Sequence, residues 1–335
     1  MPEPSAFTPA PQARRLSAGD LLGDARTDSI PVVGDSLDDV APTAATLFQA
    51  LGFPSLTGFE PERAWQPRPL RDRYWIPIGE GRDGALGLDL KEGGLGLCVG
   101  AAGTGKSELL RTILLTLMAT HSPDQVAFAL GEFRGAALSR FDDAPHVVAS
   151  ALGLAGDRDV AGLAPLETAL AAEVVRRREL IARAGARDGL DYLRRRDQDH
   201  RMPPLPLLVV AFDDFTEIPH LRPKFLDLLR GIARDGSALH MHVLLTTSRP
   251  EPWMSTLDEH LAYRVAMRTP GKAESRAVLG VPHAHTLPKQ PGHAYLGRSG
   301  GLERFRAAHV SDPSELDVVL RRIAEQPRRT ARLLP

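Results

Sequence analysis

The sequence is poor in cysteine, lysine and aromatic residues, has no charge excess, and lacks a long apolar run. One cysteine, Cys98, in 335 residues excludes an internal disulfide framework and fits a reducing compartment. Lys plus Arg number 41 against 42 Asp plus Glu, so the net charge is −1 and the basic excess usual for a nucleic-acid binder is missing. Only five of the basic residues are lysines, a bias more in keeping with a GC-rich genome than with a function. No stretch of about 18 uncharged apolar residues occurs, so this chain is not expected to span a membrane itself. The first 30 residues show no basic start followed by an apolar core, and so no secretory signal. What is present is 43% hydrophobic and 25% charged, which excludes wholesale disorder. The length suits one large domain with an appendage.

The opening dozen residues, with Pro2, Pro4, Pro9 and Pro11, read as a flexible tail. Broken patterning continues to Arg71 as an extended arm, with a short helix expected over Thr43–Leu51 behind Pro42. Phe53, Phe59 and Trp65 in this arm, and Trp75 just beyond it, read as packing anchors. From Tyr74 onward, apolar runs alternate with helical periodicities. Strands are expected at Leu95–Val99, Val126–Leu130, Leu205–Phe212 and His240–Thr247, and helices at Glu108–His121, Gly162–Ala186 and Leu221–Arg234. This alternation predicts an α/β fold with a mainly parallel sheet flanked by helices. Ala294–Leu296 and Arg304–Val310, around Gly297 and Gly300-Gly301, predict a late β-hairpin, and Ser314–Glu325 a closing helix. The division expected is a tail and arm over 1–70, a P-loop domain over 71–312, and a closing helix with linker over 313–335.

The residues from Gly100 to Ser107 fit the phosphate-binding pattern G-x-x-x-x-G-K-[ST], between an apolar strand and an amphipathic helix. Glycines let backbone N–H groups converge on phosphate oxygens, and the helix N-terminus adds a favourable dipole. The nucleotide-cradling set is therefore Gly100, Ala101, Ala102, Gly103, Thr104, Gly105, Lys106, Ser107 and Glu108. Lys106 is expected to neutralise the β- and γ-phosphates of ATP, and the Ser107 hydroxyl to ligate Mg²⁺. The apolar run from Leu207 ends in Asp213-Asp214. Asp213 is assigned to Mg²⁺ and Asp214 to polarising the attacking water.

Several stretches then resemble an FtsK/SpoIIIE-type ATPase module. They are Leu88–Glu92, Gly100–Thr112, Thr120–Gln125, Ala144–Val147, Arg176-Arg177, Leu239–His242, Glu274–Pro282, Gln290–Gly292 and Arg304–Ala308. Within that family the chain is most similar to EccC, the multi-module ATPase of type VII (ESX) secretion, and its lead-in from Phe53 to Trp65 resembles the first of three tandem modules. The resemblance implies a ring-forming RecA-like fold in the cytosolic part of a membrane-associated secretion complex. Its implied partners are neighbouring ATPase modules, membrane components of the complex and small helical-hairpin export substrates. The DNA-translocase branch carries a further DNA-reading winged helix, for which the roughly 25 residues after Val310 are too few.

Against the family pattern, four positions on the hydrolysis side are altered. Asp214 stands where the family has Glu, which withdraws the carboxylate by a methylene, and a misplacement of about 1 Å can cost on the order of 100-fold. Glu132-Phe133-Arg134-Gly135-Ala136 replaces Asp-Phe-Lys-Gly-Gly. Ser248 replaces the Gln of the sensor strand, at the position implied to contact the γ-phosphate or the water. The arginine-finger position falls on Pro165; Arg158 is the nearest basic residue upstream, but a gap-free alignment does not put it there. The expectation is a module that binds ATP–Mg²⁺ and hydrolyses it slowly or not at all by itself. The alternatives are a fully active motor ATPase and an FtsK-type DNA translocase. Two histidine pairs, His240/His242 on one strand face and His283/His285 in a loop, lack the further ligands of a metal site. Cys98 reads as a buried inert thiol, and Arg176–Arg178 as a solvated basic helix face.

Overall fold

In the computed structural model the residues described are 32–33, 51, 59–91, 93–154, 159–310 and 313–327. The helix expected over Thr43–Leu51 lies outside them except for Leu51, as do Phe53 and Arg158. In chain order the elements open with β1 (Val32–Val33), α1 (Pro61–Ala64), β2 (Trp75–Gly81), β3 (Gly84–Asp89) and β4 (Gly94–Val99). The middle of the chain forms α2 (Lys106–Thr120), β5 (Val126–Phe133), β6 (Val147–Leu154), α3 (Leu163–Arg183), α4 (Gly189–Gln198) and β7 (Leu207–Asp213). There follow α5 (Ile218–Leu221), α6 (Pro223–Leu239), β8 (Met241–Thr247), β9 (Leu261–Met267) and α7 (Lys272–Leu279). The last are β10 (His293–Arg298), β11 (Gly301–Ala307) and α8 (Pro313–Ala324).

Among the described residues all the strands join one sheet in the order β3-β2-β11-β10-β9-β4-β8-β7-β5-β6, with β1 pairing on β11. The run β9-β4-β8-β7-β5-β6 is parallel throughout. Strands β10, β11, β2 and β3 extend it as an antiparallel wing. The parallel strands are continuous apolar runs because helices cover both faces. In β7, Leu207, Val209 and Ala211 enter one core while Leu208, Val210 and Phe212 enter the other, the two-residue alternation of a strand. Each buried Leu, Val or Phe side chain contributes about 1.5–3 kcal/mol by leaving water. Helix α2 packs Leu110, Ile113, Leu114 and Leu117 into the first core, where Leu316, Val319, Leu320 and Ile323 of α8 join it. Among the described residues, no helix is long and apolar enough to cross a membrane.

The late hairpin and the alternating parallel core agree with the sequence reading; the β2–β3 hairpin, β6, β9 and α4 were not anticipated. Helix α6 also runs to Leu239 rather than ending at Arg234. Gly236, which resembles a breaker in sequence, sits where an added Cβ would lie 2.6 Å from the Gly94 nitrogen. Its missing side chain lets the helix lie against the backbone entering β4. His240 consequently caps that helix in left-handed conformation (φ 54°), and only His242 is on the strand.

The basic helix face needs a larger correction. Arg177 is 1% exposed. Its guanidinium donates to Glu173 at 2.7 Å and to the carbonyls of Pro206 (2.9 Å), Leu239 (3.0 Å) and His240 (2.8 Å). It thus ties α3 to the chain entering β7 and β8. Phe59 is buried in the first core, and Trp65 donates its ring N–H to the Met118 carbonyl at 2.9 Å, pinning the arm to α2.

Candidate nucleotide site

Strand β4 ends at Val99, and the chain turns through Gly100–Gly105 into α2. Gly103 (φ 77°) and Gly105 (φ 105°) adopt left-handed backbone that favours glycine. At Gly100 the reason is space, since a Cβ there would lie 2.7 Å from the Met267 Cβ and 2.8 Å from the Thr104 hydroxyl. The Thr104 hydroxyl donates to the Ala101 carbonyl at 2.8 Å, and Lys106 Nζ reaches the same carbonyl at 3.0 Å. The Ala101 amide donates to the Arg268 carbonyl (2.9 Å) and the Gly292 amide to the Thr104 carbonyl (3.0 Å), bracing the loop from outside. This leaves a glycine-rich turn ahead of a 15-residue helix, whose first N–H groups and dipole suit an anion. Ser107 lies in that first turn. Glu108 turns its carboxylate to Arg111 in an ion pair.

Strand β8 lies between β4 and β7, with Thr246 in register with Cys98 on one side and Leu245 with Phe212 on the other. The phosphate loop and the carboxylates therefore emerge at the same carboxyl edge of the sheet, where ligands of open α/β sheets bind. Asp213, 6% exposed, accepts a hydrogen bond from the Thr246 hydroxyl at 2.6 Å. The Asp214 amide donates to that same hydroxyl at 3.0 Å. Asp214 has φ 52°, a left-handed conformation aspartate tolerates better than most residues. Its carboxylate accepts from Thr216 Oγ1 at 2.7 Å. Thr216 Oγ1 also lies 3.0 Å from Thr247 Oγ1 and 3.1 Å from Ser248 Oγ. The adjacent Asp213 and Asp214 and the distant Ser248 are thus joined through threonine hydroxyls.

Glu132 is the register partner of Asp213 on β5. It is buried, and its carboxylate accepts the amides of Ala137 and Leu138, closing the turn after the strand. Burial pushes its pKa up despite those two amides. Cys98 is buried behind Lys106, and burial pushes its thiol up to about 12, as an inert core residue requires. Pro165, at the position the resemblance gives to an arginine finger, lies in the first turn of α3.

A pocket of about 180 Å³ opens beside the phosphate loop, lined by Gly105, Glu108 and Leu109 on one side. Pro291, Gly292, Arg306, Ala307, Ala308 and His309 form the other. Its mainly apolar walls suit a flat heterocycle next to a phosphate site. Sequence reasoning assigned no role to the residues of that second side, nor to Thr216 and Thr246. Gln290–Gly292 and Arg304–Ala308 were visible as family-like stretches, but what brings them to Gly105 is the pairing of β10 and β11 with the rest of the sheet.

For Mg²⁺, the residues present are compatible. One oxygen of Asp213 is held by Thr246, and no described residue donates to the other. With the Ser107 hydroxyl this gives hard oxygen donors and no competing thiolate or imidazole.

A sequence model of the FtsK/SpoIIIE family matches residues 70–252. The ESX secretion system protein EccC of Thermomonospora curvata is 39% identical over 309 residues, covering 89% of this chain and 23% of the relative. ESX-4 secretion system protein EccC4 of Mycobacterium tuberculosis is 39% identical over 276 residues, covering 79% of this chain and 22% of the relative. The chain thus spans less than a quarter of the length of these two relatives. Among solved structures, the cytoplasmic domain of the T. curvata type VII secretion ATPase EccC superposes with a TM-score of 0.81 at 38% identity. That match covers 87% of this chain and 35% of the other.

Proposed function

Because the chain belongs to the FtsK/SpoIIIE family, we propose that it is an ATP–Mg²⁺-binding module of an EccC-like type VII secretion ATPase, with hydrolysis weakened by its altered catalytic positions. The observation that carries the reading is the braced glycine loop after β4 with Lys106 at the start of α2, separated from Asp213 at the end of β7 by the one strand β8. The phosphates would lie on the loop and the N-terminus of α2, with Lys106 as counter-charge. Ser107 and Asp213 would hold Mg²⁺, which supplies neutralisation of phosphate charge when bound. Asp214 would orient and polarise the attacking water. Its short side chain, Ser248 in place of an amide, and Pro165 at the finger position each favour slow turnover.

The module would work in the cytosol beside neighbouring ATPase modules and membrane components of the secretion complex, on small helical-hairpin export substrates. Purified protein with labelled ATP tests the nucleotide reading. Expected is Mg²⁺-dependent binding that Lys106→Ala abolishes, with turnover well below about 1 s⁻¹. Turnover at or above that rate, lost in Lys106→Ala, would overturn the weak-hydrolysis part. Salt-sensitive duplex DNA binding would instead favour the translocase branch.

A further inference from the structure

We infer that Thr216 is a positioning residue that joins the sensor position, Ser248, to the carboxylate of Asp214; this rests on the reading of Asp214 given above. Thr216 is 2% exposed, and its hydroxyl lies within hydrogen-bond distance of four polar groups. A hydroxyl has one proton to give and two lone pairs to fill. The ionised carboxylate can only accept, so the 2.7 Å contact with Asp214 takes the Thr216 proton. The Ser248 amide donates to one lone pair at 3.1 Å. Thr247 gives its own proton to the Arg249 carbonyl at 2.9 Å, so its 3.0 Å contact with Thr216 carries none. The second lone pair is therefore filled by the Ser248 hydroxyl at 3.1 Å.

The proton inventory closes in one direction, from Ser248 through Thr216 to Asp214. A donor behind the Thr216 hydroxyl polarises it and strengthens the charge-assisted bond it makes to the carboxylate. The chain is short because the Phe215 amide donates to the Thr246 carbonyl at 2.8 Å, clamping the segment after β7 against the end of β8. Any group that engages Ser248 changes the bond that holds Asp214. No hydrogen bond of Thr216 among the described residues reaches the phosphate loop, so it acts through Asp214 and Ser248.

The test pairs labelled-ATP affinity with single-turnover hydrolysis, protein in excess and followed for hours, in the whole chain. Thr216→Val should slow hydrolysis at least tenfold with ATP–Mg²⁺ affinity within threefold of the parent. Thr216→Ser, which keeps the hydroxyl, should stay within threefold in both. Thr216→Val combined with Ser248→Ala should be no slower than Thr216→Val alone, because both changes break one chain. The proposal is overturned by a Thr216→Val protein at parental rate or faster, by Ser and Val variants equally slow, or by additive losses. Loss of ATP affinity in both Thr216→Val and Thr216→Ala would show a structural role instead, and a parent that binds ATP without any turnover would also overturn it. A Lys106→Ala protein with parental affinity, or Asp214→Asn with parental turnover, would strike the underlying nucleotide-site reading and not the Thr216 link.

Discussion

Thr246 donates to the Asp213 carboxylate at 2.6 Å while accepting the amide of Asp214 at 3.0 Å, so one hydroxyl fixes both members of the acidic pair. Thr246→Val keeps the shape and removes both bonds. A buried hydrogen bond to a charged group contributes roughly 1.5–3 kcal/mol. The expected outcome is about tenfold weaker Mg²⁺-dependent ATP binding, read from a magnesium titration with a fluorescent ATP analogue. A titration matching the parent would mean that Asp213 needs no such support.

Arg177 carries the structural load at the opposite edge of the sheet. Without Arg177, Glu173 would keep Arg176, but the buried carbonyls of Pro206, Leu239 and His240 would lose their donor, at about 1–3 kcal/mol for each unsatisfied group. Arg177→Leu should lower stability by that order, while Arg178→Leu, whose partner Asp235 lies at the surface, should change it by less than about 1 kcal/mol. Urea unfolding of the two variants compares them directly. Equal midpoints would refute the assignment.

Four buried histidines predict sensitivity to mild acid. Burial pushes His121 down to about 3 and His146 and His242 down to about 4, and His240 well below its ordinary value. The charges facing them are cationic: Arg68 beside His121, and Arg177 and Arg73 beside His240. A base with a depressed folded pKa takes up its proton mainly in the unfolded chain. Stability is therefore complete above pH of about 6.5 and falls as pH drops toward the folded values, by up to roughly 1.4 kcal/mol per pH unit per histidine. Urea midpoints at pH 7.5, 6.5 and 5.5 should decline most steeply over the last interval. A flat profile there would contradict the burial of these rings.

Cys98 should be silent toward thiol reagents in the folded protein. It is 3% exposed, with a thiol pushed up to about 12 by burial, so little thiolate forms at neutral pH. Ellman's reagent is expected to react with it only on addition of denaturant, at one equivalent. Rapid labelling of the native chain would show that β4 opens.

The phosphate loop was legible because its chemistry is local: eight consecutive residues, a strand before them and a helix after them. The acidic pair was legible for the same reason, as an apolar run ending in Asp213-Asp214. Thr216 and Thr246 were not, since hydroxyl residues are common and only strand pairing sets them beside the carboxylates. Arg177 was hidden by its neighbours: Arg176, which donates to the same Glu173, and Arg178 stay half-exposed, and only the packing of α3 on the entries to β7 and β8 buries the middle arginine. The pocket walls at Pro291–Gly292 and Ala307–Ala308 are nearly 200 residues from Gly105, a distance over which sequence pattern carries no contact information.

The placement of β8 between β4 and β7 has a mechanical side. Two strand spacings of about 4.8 Å set the gap between phosphate loop and acidic pair, and both are locked by continuous parallel ladders. The site therefore has a fixed gauge: it cannot shut like a jaw on its nucleotide. Movement at the site would be confined to parts outside that ladder, such as the tips of side chains and the rim where Gly292 donates one amide hydrogen bond to Thr104. The antiparallel wing is held to β9 through the β10 ladder and meets the phosphate loop through that one bond.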